Sequence, residues 1–194
     1  MEMRLRQLEI IEAAGEILTQ AGLAGLTTKK LAARIGFSES ALYRHFKGKE
    51  EIVITMLKYL AREMDERIDK TISPIENPQE KLKALFNSQF AFFKQNPHFL
   101  IAIFSDGLLE ASKEINKAIS SIMAITKKHL MQVIQEGQKQ KLFTRELPAD
   151  DQVHIIMGSF RLHMLQWRMS GYAFDLKVKG NKLMNNLFAL LAPN

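Results

Sequence analysis

Apolar residues recur at helical spacing along almost the whole chain, and no stretch shows the Val-, Ile- and Thr-rich alternation of a strand. That one pattern predicts an all-α fold, and the caps and breakers then set the helix lengths. Ile10, Ala14, Ile17, Leu18 and Ala21 share one face of a first helix that stops at Gly22. Ala24, Gly25 and Leu26 connect it to a short second helix, capped by Thr27 and running to about Ile35, with Leu31 and Ala32 inward. Gly36 supplies the left-handed residue that ends it, and Ser38 caps a short third helix that runs to about Phe46. After Gly48 a long fourth helix spans about Lys49 to Thr71, with Ile52, Met56, Tyr59 (or Leu60) and Met64 on its inward stripe.

The run Ser73-Pro74-Ile75-Glu76-Asn77-Pro78 is the clearest loop in the chain. It suggests a first domain over residues 1–48, a connecting helix over 49–71 and a second domain over 72–194. In that second domain, Leu82, Leu85, Phe86, Gln89 and Phe93 mark helix five. Asn96 and Pro97 open helix six, which Asp106 and Gly107 end. Helix seven covers about Ser112 to Lys139. Helix eight starts at Pro148 with Asp150 and Asp151 at the positive end of its dipole, and runs to Ser170 before Gly171. A last helix covers about Gly180 to Leu191.

A chain of 194 residues can bury a sizeable core without staples, and with no cysteine it has no disulfide, no thiolate nucleophile and no Cys-ligated zinc. No apolar run is longer than that from Phe99 to Phe104, far below the roughly 18 residues that span a bilayer. Glu2, Glu9 and Glu12 interrupt any apolar leader. A soluble, cytoplasmic protein without membrane partners is the expectation.

Charge is unevenly placed. The whole chain carries 27 Lys and Arg against 21 Asp and Glu, yet residues 27–49 hold Lys29, Lys30, Arg34, Arg44, Lys47 and Lys49 against the single acid Glu39. A near-neutral body with one basic segment suggests a local polyanion contact, although a solvated helix face would look similar. The same segment has helix-turn-helix layout. Two short helices meet at Gly36-Phe37-Ser38, and Ala32, Ile35, Phe37 and Leu42 are spaced to lock them against helix one. Glu39, Ser40, Tyr43 and Arg44 then face outward, as donors and acceptors entering a major groove must.

Thr27, the Leu31-Ala32 pair, Gly36, Ser38, Leu42-Tyr43, Phe46, Lys49 and Glu50 stand in the order found in TetR-family transcriptional regulators, which the chain resembles over roughly residues 8–55. The resemblance implies a homodimeric repressor that reads a palindromic DNA operator and is released by a small-molecule effector. It places Thr27, Thr28, Tyr43, His45 and Lys49 at phosphate contacts and Lys29 at a phosphate or a base. Ser38 belongs to the same interface, and Glu39 and Ser40 match its base-reading face. Glu39 either accepts from a cytosine amine or caps the recognition helix and points aside. Two recognition helices about 34–36 Å apart would fit one turn of DNA, with helix four as the lever that changes their spacing.

In the C-terminal half, six of the twelve Phe fall between residues 86 and 104. Phe86, Phe90, Phe93, Phe104, Met123, Phe160, His163, Met164 and Trp167 could line a mostly apolar effector pocket, or simply form a core. By the same resemblance the last two helices dimerise, offering Val153, Ile156, Met157, Leu183, Leu187 and Leu190. No enzyme is expected: Gly158-Ser159 lacks a nucleophile-elbow context, His154 and His163 do not form a one-face metal pair, and there is no Gly-rich phosphate loop. No metal or cofactor is expected. A helical lipid carrier would account for the Phe-rich half but not for the basic segment.

Overall fold

A computed structural model of the chain describes residues 5–104 and 112–193. Those residues form nine helices and no strand: α1 (Leu5–Gly25), α2 (Thr28–Arg34), α3 (Glu39–Tyr43), α4 (Lys49–Ile72), α5 (Pro78–Gln95), α6 (His98–Ile103), α7 (Lys113–Lys139), α8 (Ala149–Met169) and α9 (Leu176–Leu191). The expected helix end at Asp106 and Gly107 lies outside the described residues.

The chain divides into two compact units that interleave in sequence: one takes in the chain up to Arg62 with Asn96–Ile122, the other Glu63–Gln95 with Met123–Asn194. Thus α4 and α7 each contribute to both units, and the segment around α6 groups with the N-terminal helices.

In the first unit, Ile10, Ile11, Ala14, Ile17 and Leu18 of α1 are buried, as are Leu31 and Ala32 of α2, Leu42 of α3, and Ile52, Val53, Met56 and Leu57 of α4. Each such Leu or Ile contributes about 1.5–3 kcal/mol on burial. Within α1, Gly22 breaks the helical path with φ 62° and ψ −169°, the stop read from the sequence. Against Gly15 lies the His98 ring of α6; a Cβ there would sit 2.5 Å from the ring. The α3 helix ends at Tyr43, earlier than expected, and a tight turn carries the chain on, with His45 and Phe46 both donating to the Leu42 carbonyl. Helix α6 begins at His98, one residue past the expected proline.

In the second unit, α5 packs on α9 and α8 on α9. Phe90 of α5 lies over Gly180 of α9, where a Cβ would come within 2.4 Å of the ring. The start of α9 falls at Leu176 rather than near Gly180, because the Asp175 carboxylate caps it by accepting from Val178 N–H at 2.9 Å. Between α7 and α8, Gln138 and Gln152 both donate to the carbonyls of Thr144 and Leu147, tying the connecting loop to both helices.

Candidate nucleic-acid interface

Local hydrogen bonds build the two short helices and thereby aim their side chains. The Thr27 hydroxyl accepts from Lys30 N–H at 3.2 Å and starts α2. Gly36 turns the chain at φ 69°, and Phe37 N–H returns to the Ala32 carbonyl at 2.8 Å. The Ser38 hydroxyl accepts from Ala41 N–H at 3.2 Å and starts α3, with Ser40 Oγ 2.9 Å away. Arg34, also exposed, bonds to Glu16 and Gln20 of α1 and so ties α2 to α1.

With both helices fixed, Lys29, Ser40, Tyr43, Arg44 and Lys47 are exposed on one short stretch of chain, Tyr43 at 52%. This clusters positive charge with two hydroxyl donors, the composition a phosphate-rich groove selects. Arg44, already expected to face outward, and Lys47 join the expected set here.

Besides the two capping residues, Thr28, Glu39 and Lys49 are engaged within the protein. The Thr28 hydroxyl donates to the Glu39 carboxylate at 2.9 Å, joining α2 to α3. Glu39 therefore does not cap α3, which Ser38 does; its carboxylate is instead held by Thr28, on the outer surface. The Lys49 ammonium donates to the Leu23 carbonyl at 3.0 Å, just past the break at Gly22, and shares that acceptor with Leu26 N–H. His45 is half-buried with its ring 6.3 Å from that of Phe37.

The expected effector residues mostly share one place in the second unit. Phe160 sits 5.3 Å from Phe86, 5.6 Å from Phe90 and 6.4 Å from Phe93, centroid to centroid, so these rings fill the space among themselves. His163 lies between Phe90 and Phe174; burial pushes its pKa down, and its Nε2 has no hydrogen-bond partner among the described residues. Met164 and Trp167 are buried beside it in α8, and Trp167 Nε1 donates to the Phe174 carbonyl at 3.1 Å. Two residues fall elsewhere: Phe104 belongs to the first unit, and Met123 is 44% exposed.

The expected dimer residues also divide. Val153, Ile156 and Leu187 are buried within the chain itself, Met157 and Leu183 are half-buried, and only Leu190 is open, at 72%. The exposed apolar residues of α8 and α9 are instead Ile155, Leu162, Met169, Val178 and Leu190, with Gly158 exposed between the first two. A helix with apolar residues on both faces leaves the sequence silent on which face packs inward.

Sequence reasoning passed over two charged groupings in the second unit. Asp65 of α4 meets Lys128 and His129 of α7, both at 2.6 Å, and Lys128 and then His129 hold the carboxyl below its ordinary range. Arg67 of α4 turns inward onto α5. Both sit on helices whose charged residues read as an ordinary solvated face. Among the described residues no group of three or more His, Asp or Glu could hold a metal ion, and no helix is long and apolar enough to cross a membrane.

Comparison with known proteins agrees with this arrangement. The profile described as bacterial regulatory proteins, tetR family, matches residues 10–56, and that described as YsiA-like protein, C-terminal region, matches residues 58–193. The nucleoid occlusion factor SlmA of Shewanella halifaxensis is 27% identical over 187 residues, 96% of this chain and 92% of that protein. The fatty acid degradation regulator FadR of Bacillus halodurans superposes with a TM-score of 0.86 at 21% identity, over 97% of both chains. FadR of Bacillus subtilis, solved in complex with stearoyl-CoA, gives 0.84 at 23% identity, over 93% of this chain and 97% of that one. A helix-turn-helix built by the Thr27 and Ser38 caps, followed by an all-helical C-terminal region that matches along its length, establishes the chain as a DNA-binding transcriptional regulator of the TetR family.

Proposed function

We propose that the protein is a homodimeric repressor that binds a palindromic operator through two α2–α3 units and leaves it when a small, largely apolar effector occupies the second unit. The observation that carries this reading is the exposed set Lys29, Ser40, Tyr43, Arg44 and Lys47 on helices fixed by their own caps. Lys29, Arg44 and Lys47 supply the salt-dependent phosphate term, and Ser40 with Glu39 faces the bases.

The aromatic cluster around Phe160 supports the effector half of the reading. It already gathers four phenylalanine rings and a buried histidine, and an apolar molecule would enter by separating them. That a structural relative holds stearoyl-CoA points the same way. Of the two helices that contribute to both units, α4 follows directly on the α2–α3 segment, and it is the element through which the effector would act on the reading heads.

For the dimer, Ile155, Leu162 and Met169 of α8 with Val178 and Leu190 of α9 form the face offered to a second copy. Gly158, with open space where its Cβ would stand, lets two α8 helices approach closely near the twofold axis. Leu162→Glu should convert the dimer to monomer in sedimentation and abolish operator binding; a dimer unchanged by it would remove this face from the reading. The repressor reading itself is tested by operator binding in a gel-shift titration at two salt concentrations, with and without an acyl compound. Release by the compound is expected, and unchanged occupancy would contradict the effector role.

A further inference from the structure

We propose that Arg67 is the anchor for an oxyanion at one end of an otherwise apolar effector. Its guanidinium leaves α4 and turns onto α5, where Nη1 donates to Ser88 Oγ and Nη2 to Gln89 Oε1, each at 2.8 Å. It lies over the Phe92 ring, 4.3 Å from the centroid. Its Nε is buried with no hydrogen-bond partner among the described residues.

All the polar partners are neutral. Gln89 is itself 2% exposed, and Thr71, which approaches Ser88 at 3.5 Å, spends its hydroxyl on the Arg67 carbonyl at 2.7 Å. Glu63, on the same helix, favours the cation electrostatically. Burial lowers the pKa to about 10, the signature of a cation that has lost water without gaining a matched anion. A charge in that state is costly, and a guanidinium fork is shaped for the two oxygens of a carboxylate or phosphate.

What lies beside it defines the rest of the ligand. Phe92 meets Phe93 edge-on at 5.4 Å, and Phe93 is 6.4 Å from Phe160 in the aromatic cluster. The cation thus stands at the end of a continuous run of rings. A molecule with an apolar body and one anionic end matches both parts.

This site deepens the effector reading given above and rests on it, while DNA binding is independent of it. The test titrates wild-type protein with dodecanoate, dodecanol and dodecanoyl-CoA, following calorimetric heat and the fluorescence of the single tryptophan, Trp167. At least one anion should bind about ten- to a hundredfold more tightly than the alcohol, the range of a charged hydrogen bond. Dodecanoate would mark a carboxylate head, and the thioester alone would mark the phosphates of its carrier. Arg67→Gln should erase that margin while leaving dodecanol binding unchanged, and Arg67→Lys should restore part of it. Equal binding of alcohol and anions, or an unchanged margin in Arg67→Gln, overturns the anchor. Should Arg67→Gln fail to fold, the ratio of the tighter anion to the alcohol in the wild type decides alone. A wild type that binds operator DNA but none of the three compounds overturns the anchor and leaves the DNA-binding reading intact; one that binds an anion but no DNA does the reverse.

Discussion

The α2–α3 segment and the aromatic cluster of the second unit use side chains in opposite ways. In α2–α3 the polar groups point outward and are aimed by bonds that span three residues, Thr27 to Lys30 and Ser38 to Ala41, or eleven, Thr28 to Glu39. In the cluster, Phe86, Phe90 and Phe93 come from α5 and Phe160 and His163 from α8, about seventy residues later. The first arrangement can be read locally, and the ligand proposed for it, the DNA duplex, has a fixed shape. The second is assembled by tertiary packing, and packed rings look the same whether they only stabilise the unit or also admit a ligand. Function is therefore written more openly where the partner is rigid and the geometry local.

Substitutions should separate the two regions. The largest effect belongs to the cluster: Phe90→Ala removes a ring that is 1% exposed and pressed on Gly180, and should cost about 3–5 kcal/mol in denaturant unfolding. A cost below about 1 kcal/mol would mean that the cluster is loosely packed even without ligand. Next is the Ser38 cap, whose replacement by alanine should cost about 1 kcal/mol of stability and weaken operator binding through a frayed α3. If stability falls but operator affinity does not, the aiming of α3 does not depend on its cap.

Lys29→Ala should leave stability within about 0.5 kcal/mol of the parent. It should also reduce the slope of log affinity against log salt by about one, uniformly across sequences. An unchanged slope would take Lys29 off the phosphate backbone.

The smallest effect is on pH dependence. Burial lowers the pKa of His98 in the first unit and His163 in the second below the ordinary 6.5. Below that value the unfolded chain takes up protons that the folded chain refuses, so stability should fall as pH drops from about 6.5. His163→Gln should flatten that fall in thermal melts, because Gln keeps a polar group but carries no proton. Asp65, lowered from 3.8, adds a loss only in more acidic solution, as its carboxylate is protonated and releases Lys128 and His129.

Much of the fold was legible because glycines and caps carry direct conformational meaning. Gly22, Gly36 and Gly171 have φ of 62°, 69° and 64°, at three of the stops read from the sequence. Thr27 and Ser38 cap the helices they were expected to cap. The start of α9 was not legible, since Asp175 lies directly between Phe174 and Leu176 with no break in the apolar pattern to mark it. The inward face of α8 was not legible either: Val153 and Ile156 are buried while Ile155 and Leu162 are open, and apolarity alone does not choose between them. Arg67 escaped notice because only the α5 contact distinguishes it from its solvated neighbours Glu66 and Lys70.

The most direct test of the regulator reading is selection from a random duplex pool by the purified protein, repeated at low and moderate salt. The expected result is an inverted repeat with half-site centres one helical turn apart, about 34–36 Å, or a multiple of it, and an affinity that falls steeply with salt. Recovery of sequences with no common element at either salt would contradict it.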